Sequence, residues 1–274
     1  MRHAVRLFSL TLIGLLALPA QAASRCERLV ATGDSNQPPY LWVDPAKPGQ
    51  LVGLYADLAQ RIGAELGVDI RLVESGDAAR AGEEVASGRA DLLLGVTPSL
   101  DDLQRLDVFH PALYLAPQVV LVKADSSFPF AGWNDLRGRR GLRPAGVAFD
   151  SAFEGFARAN LELSEVASLD EGLDQLRLGR TQYLIADRQA AVARIAALGF
   201  QDAVQALDWP VTSRPLHLAL SHSSACNDPA LRGQLAVQLR QLAESGLADG
   251  LLRANLQRWK GQLAPVVEIE SPQE

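Results

Sequence analysis

The chain holds only two cysteines, Cys26 and Cys226, and four histidines in 274 residues. It has no nucleophile elbow, no zinc-ligand spacing and no phosphate-binding glycine loop. An enzyme needs an acid or base poised in a cleft. His3 falls in the leader described below, and His110 and His217 are expected to be structural residues of a loop and a strand. The reading is therefore of a protein that is not an enzyme and takes no cofactor or metal. After residue 22 no segment approaches 18 uninterrupted apolar residues, so no membrane-spanning helix is expected there. No basic stripe with interleaved aromatics occurs either, and the formal net charge is −6, which argues against a nucleic-acid partner. What is present in quantity is apolar: 48% hydrophobic residues can bury a substantial core, as one large domain or two lobes.

Arg2 and Arg6 precede an apolar run from Leu7 to Leu18, and Pro19-Ala20-Gln21-Ala22 places small residues where a signal peptidase reads. These are the three regions of a cleavable secretory signal, assigned to residues 1–22. The run contains Ser9, Thr11 and Gly14 and is well short of the roughly 20 residues a bilayer span needs. Cys26 lies beyond the run rather than at its end, which disfavours a lipoprotein. Two cysteines in an exported chain suit one disulfide, the other reading being two buried or free thiols. A Cys26–Cys226 bridge requires the late segment to return to the lobe that holds the mature N-terminus.

Arg28 to Ala31 reads as a strand entering the turn-rich segment Thr32 to Pro39. Leu54, Leu58, Ile62 and Leu66 recur every four residues before Gly67, which predicts an amphipathic helix and its stop. Val68 to Val73 alternates as a strand, and Gly82 to Ser87 reads as helical. Gly88-Arg89-Ala90-Asp91 then leads into the apolar run Leu92 to Leu94. The same grammar returns at Gly179-Arg180-Thr181-Gln182, before Tyr183 to Ile185. Two distant copies suggest two similar α/β lobes rather than a solenoid. Strand-like runs at Gln118 to Val122 and Leu216 to Leu220 read as crossings between them, the second followed by a helix through Leu231, Leu235, Leu239 and Leu242. The expected layout is lobe 1 over residues 23–118 and 214–264, lobe 2 over 119–213, and an acidic, proline-bounded tail at 265–274.

Taken in order, Gly33-Asp34 with Pro38-Pro39-Tyr40, Gly53-Leu54-Tyr55-Ala56-Asp57-Leu58, Gly88 to Asp91, Phe109 to Tyr114, Asp135 to Arg139, and Gly179-Arg180 through Asp187 resemble the family 3 bacterial extracellular solute-binding proteins. These are periplasmic receptors of polar amino acid uptake systems. The resemblance implies a type II-like, two-lobed periplasmic binding fold, each lobe a mixed sheet flanked by helices, with two hinge crossings. It also implies a monomer that captures a small amino-acid-like or amine ligand and delivers it to an inner-membrane ABC permease. A ligand-sensing receptor and, further off, a periplasmic dehydratase on the same scaffold are the alternatives.

The same resemblance supplies a candidate site. Asp34 matches the position that meets cationic side chains, its other reading being a turn-forming Asp. Asp187 matches the carboxylate that holds the ligand ammonium, its other reading being a helix cap. Tyr40 and Trp42 offer an aromatic wall or simply core. Thr97 and Ser99 offer hydroxyls, although Ser99 equally suits a helix cap. Family members place an arginine after a Thr-Pro pair to clamp the ligand carboxylate. Here Thr97-Pro98 is followed by Leu100 and Leu103, with Arg105 the nearest replacement. Ser151 opens a helix whose N–H groups suit an anion. Two acids without an assured arginine favour a cationic ligand.

Overall fold

The structure, a computed structural model, describes residues 26–263. The signal peptide and acidic tail assigned above lie outside the described residues. The first lobe opens with strand β1 (Arg28–Gly33), followed by three short strands, β2 (Asn36–Gln37), β3 (Leu41–Val43) and β4 (Leu51–Val52), that pair as a small antiparallel sheet. Helix α1 (Leu54–Leu66) forms where the four-residue spacing predicts it. Leu54, Leu58 and Ile62 are buried, and the helix stops before Gly67. Strand β5 (Asp69–Leu72) and helix α2 (Ala78–Ala86) follow. The helix starts four residues ahead of Gly82 because the Asp77 carboxylate accepts the Arg80 N–H and caps it. Strand β6 (Leu92–Val96), the one-turn helix α3 (Asp102–Arg105) and strand β7 (Leu106–Val108) complete this part.

Strand β8 (Tyr114–Lys123) carries the chain into the second lobe, built from β9 (Arg140–Pro144), α4 (Ser151–Asn160), β10 (Glu162–Val166), α5 (Leu169–Arg177), β11 (Tyr183–Asp187) and α6 (Arg188–Leu198). The return is β12 (Val204–Ser221), then α7 (Pro229–Ser245) and α8 (Leu247–Leu263). One sheet runs through both lobes in the order β10-β9-β11-β8-β12-β6-β1-β5. β8 and β12 pair antiparallel from Lys123↔Val204 to Tyr114↔Leu216, after which β12 passes to β6 and β7. Both crossings are longer than their apolar runs suggest, because the ladder extends beyond the fully buried stretch.

The two Gly-Arg turns do the same mechanical job in each lobe. Gly88 and Gly179 take left-handed φ values of 78° and 70°, which a side chain resists, and so end α2 and α5. The fourth residue of each turn then ties the incoming strand to its neighbour. Asp91 accepts the Val30 N–H at 2.7 Å and Gln182 accepts the Arg140 N–H at 2.9 Å.

Apolar burial follows the lobes. One cluster gathers Leu29, Leu54, Leu92, Leu218 and Leu235, while two others gather Leu121, Leu173 and Leu184, and Val120, Phe153 and Tyr183. Cys26 and Cys226 are joined, with Cα atoms 5.5 Å apart. Helix α8 is an element the sequence analysis does not separate from α7. It leans on the other lobe, where the Trp259 indole N–H donates to the Ala193 carbonyl at 2.9 Å.

The Tyr183 ring packs against Gly141, and a Cβ there would stand 2.0 Å from it. The ring is fully buried, so it has nowhere to retreat. Gly141→Ala is expected to lower unfolding stability by about 3 kcal/mol, the upper range for overpacking, read as the fall in urea midpoint. An unchanged midpoint would show that the strand shifts freely.

Candidate functional site

A cavity of about 600 Å³ lies between the cores. Asp34, Gln37 and Tyr40 face it from one lobe, Ser168 and Asp187 from the other, and Gln118 and Arg214 from the crossing strands. A second hollow of about 340 Å³ also touches Asp34, Gln37 and Arg214 and extends towards Tyr55 and Thr97. A larger depression of about 950 Å³ is lined by residues of 73–84 alone, with no facing wall, and lacks the two-sided grip a small solute needs.

Asp187 closes β11 and starts α6, so the fold fixes its carboxylate by the helix it begins. Oδ1 accepts the N–H groups of Gln189 and Ala190, each at 2.9 Å. Both oxygens also lie 2.9 Å from the Tyr40 hydroxyl, which reaches across from the other lobe. The helix-cap reading of Asp187 and its place on the cavity wall thus hold together. Burial pushes its carboxyl above the usual carboxylate range, opposed by the Ala190 N–H, the Tyr40 hydroxyl and the charge of Arg214. Burial, and then the neighbouring Asp187, hold the Tyr40 phenol well above its ordinary value, so it donates its proton here. Tyr40 stacks on Tyr55 at 5.6 Å and meets Tyr114 at 6.0 Å.

Asp34 is half-buried after β1. It accepts the Asn36 N–H at 3.0 Å, which is the turn-forming role, and it faces both hollows. Burial raises its carboxyl, with Asp77 adding to the shift. Thr97 borders the smaller hollow, its hydroxyl donating to the Pro215 carbonyl.

Four expected residues stand elsewhere, each for a local reason. Trp42 sits in β3 and turns onto α8, donating to Gln262 and meeting Trp259 edge-on. Ser99 exchanges hydrogen bonds with Asp102, the first residue of α3, its hydroxyl donating to the carboxylate and accepting the backbone N–H. Arg105 pairs with Glu83 and Asp101 on the outside. Ser151 is exposed at the start of α4, and that helix end is already capped: Asp150 accepts the Ala152 and Phe153 N–H groups and is itself bonded by Thr212. A carboxylate of the chain thus occupies the seat suggested for an external anion. Leu100 and Leu103, where an arginine is expected, are 83% and 50% exposed.

Sequence analysis misses three cavity residues. Arg214 faces both hollows, and its Nε is buried without a partner. Gln118, fully buried, donates to the Ala116 carbonyl at 3.1 Å while its Oε1 has no partner. The buried Tyr55 hydroxyl is likewise unpartnered. The one available signal is polar residues at the mouths of both crossing strands, Gln118 before Val119 and Arg214 before Leu216. The other cavity arginine, Arg194, is held in a two-bond pair by Asp170.

No curated protein sequence matches the chain. Among solved structures, a histidine kinase sensor domain with similarity to periplasmic binding proteins is 20% identical, covering 85% of this chain and 96% of that one at TM-score 0.61. The amino acid ABC transporter substrate-binding protein AbpA from Streptococcus pneumoniae, bound to L-arginine, is 22% identical over 85% and 96% of the two chains at TM-score 0.61. Substrate-binding domain 2 of Lactococcus lactis GlnP, in an open conformation, is 18% identical over 84% and 96% at TM-score 0.65. These likenesses carry the two-lobed fold. A family model matches residues 29–261, nearly all of the described chain, and on that match the protein belongs to the bacterial extracellular solute-binding proteins, family 3.

Proposed function

We propose that this protein is an exported, monomeric receptor that captures a small amine or amino-acid-like solute between its lobes and delivers it to an inner-membrane ABC permease. The observation that carries the reading is a cavity of about 600 Å³ with the Asp34 and Asp187 carboxylates on facing lobes, both kept partly from water. A carboxylate withdrawn from water gains from a cationic partner, and a ligand ammonium is one. In this reading the lobes are residues 23–118 with 214–264, and 119–213, and they close about β8 and β12. No step of bond chemistry is assigned. His217, buried in β12, has its Nδ1 2.8 Å from the Phe109 carbonyl and its ring against His110, away from the cavity.

A thermal-shift screen of the mature protein against amino acids, amines and small acids tests this. A ligand that binds only the folded state at a hundredfold excess over its Kd adds about 2.7 kcal/mol, which raises Tm by about 5–10 °C for a chain of this size. Shifts by acids that lack an amine, with none by amines, would reject the cationic reading. The likeness to a histidine kinase sensor domain favours signalling as the second reading. Uptake of labelled ligand that persists in cells lacking this protein would point to signalling rather than transport.

A further inference from the structure

We propose that Arg214, on the crossing strand β12, receives the anionic end of the ligand, in place of an arginine on the loop after β6. The inference deepens the amino-acid-like reading and rests on it. The other places for an anion are taken. Leucine stands at the expected arginine position, and the N-terminus of α4 is filled by Asp150. Arg194 already holds Asp170 through two bonds, and Arg105 faces outward onto Glu83 and Asp101.

Arg214 is differently placed. Among the described residues its guanidinium enters no ion pair and no hydrogen bond, and its Nε is out of contact with solvent. Strand register fixes where it sits. Arg214 pairs with Ala116 and Thr212 pairs with Gln118, so Arg214 and Gln118 are diagonal neighbours on one face of the ladder. That face is the floor of the cavity, which both side chains line. Tyr55 adds a second donor, a fully buried hydroxyl without a partner, in the smaller hollow that Arg214 shares. The planar fork of a guanidinium matches a carboxylate in two parallel bonds, and the phenol can supply a third. The Gln118 Oε1, an acceptor with nothing to accept, suits a ligand N–H. The ligand is then a zwitterion, its carboxylate at the floor and its ammonium towards Asp34 and Asp187.

The test titrates the mature protein, Arg214→Gln and Arg214→Lys with matched pairs of α-amino acid and decarboxylated amine, L-arginine with agmatine and L-lysine with cadaverine, by calorimetry. For a pair that binds, wild type prefers the acid. Arg214→Gln weakens acid binding about 10- to 100-fold, the effect of losing a charge-assisted bond, and changes amine binding less than threefold. Wild type binding amine as tightly as acid overturns the proposal, as does Arg214→Gln binding the acid within threefold of wild type. If Arg214→Gln does not fold, Arg214→Lys decides: it keeps the charge but loses the fork, so a smaller acid-to-amine preference supports the assignment and an unchanged one overturns it. If no compound binds wild type, the amino-acid-like reading falls and takes this inference with it, whereas loss of the acid preference alone leaves that reading standing.

Discussion

Opening the Cys26–Cys226 bridge, by reductant or by a paired Cys→Ser variant, is expected to cost this protein about 3–5 kcal/mol of stability. The bridge closes a loop with a sequence separation of 200 residues, for which chain entropy predicts about 5 kcal/mol, and native bridges in exported domains commonly contribute 2–5. Its position explains the size of the effect. Cys26 leads into β1 and Cys226 stands between β12 and α7, so the bridge fastens the first strand to the return of the chain after the whole second lobe. Without it, that return is held by the β12 ladder and by α7 packing on the first core. The measurement is Tm or urea midpoint with and without reductant. A difference below about 2 °C would mean that the loop is already constrained by residual structure in the unfolded chain.

At Asp187 the informative result is a contrast between two substitutions. Asp187→Ala removes the cap of α6, at about 0.5–2 kcal/mol, and leaves the buried Tyr40 hydroxyl unpartnered, at about 1–3 kcal/mol. A loss of roughly 2–4 kcal/mol is expected. Asp187→Asn keeps an oxygen for the cap and for Tyr40, so it stays close to wild type in stability near neutral pH while removing the charge proposed to attract a ligand cation. The pH dependence has a definite sign. Burial makes folded Asp187 hold its proton to higher pH than in the unfolded chain. Its stabilising contribution is therefore complete below the ordinary carboxylate value of about 3.9 and is lost as pH rises through the raised one. Wild type should gain stability relative to Asp187→Asn on acidification from neutral towards pH 4, and a difference that stays flat or reverses would refute the assignment. Asp34, raised in the same direction, remains in both proteins and cancels in the comparison.

How much of this is legible in the sequence depends on where the information resides. Helices α1 and α7 announce themselves because a leucine or isoleucine every four residues serves one core. Helix α8 does not, because it buries only Leu252 and Asn255 and divides its contacts between α1, α7 and α6. The Gly-Arg turns are legible because a left-handed glycine and a strand-tying fourth residue are local requirements. Tyr40 and Trp42 look alike as neighbours of the double proline, yet one lies in the turn facing Asp187 and the other in β3 facing α8. Only the path of the backbone separates them. Arg214 is harder still. Between Ser213 and Pro215 it looks like an exposed strand end, and its relation to Gln118 exists only through a pairing about a hundred residues distant in sequence.

The register of β12 is interrupted on both sides of that arginine, around Pro210 and again between His217 and Leu218. Between the interruptions, Thr212 to Leu216 pairs without a break against Tyr114 to Gln118. Bending concentrates where ladder bonds are missing, so in the proposed closure the uninterrupted stretch would act as the pin of a door, each lobe swinging from its own knuckle. A group carried on the pin would keep its bearing while the panels moved. An incoming solute would meet Arg214 in the same attitude at every stage, with Asp34 and Asp187 arriving afterwards, so encounter and retention would be governed by different residues.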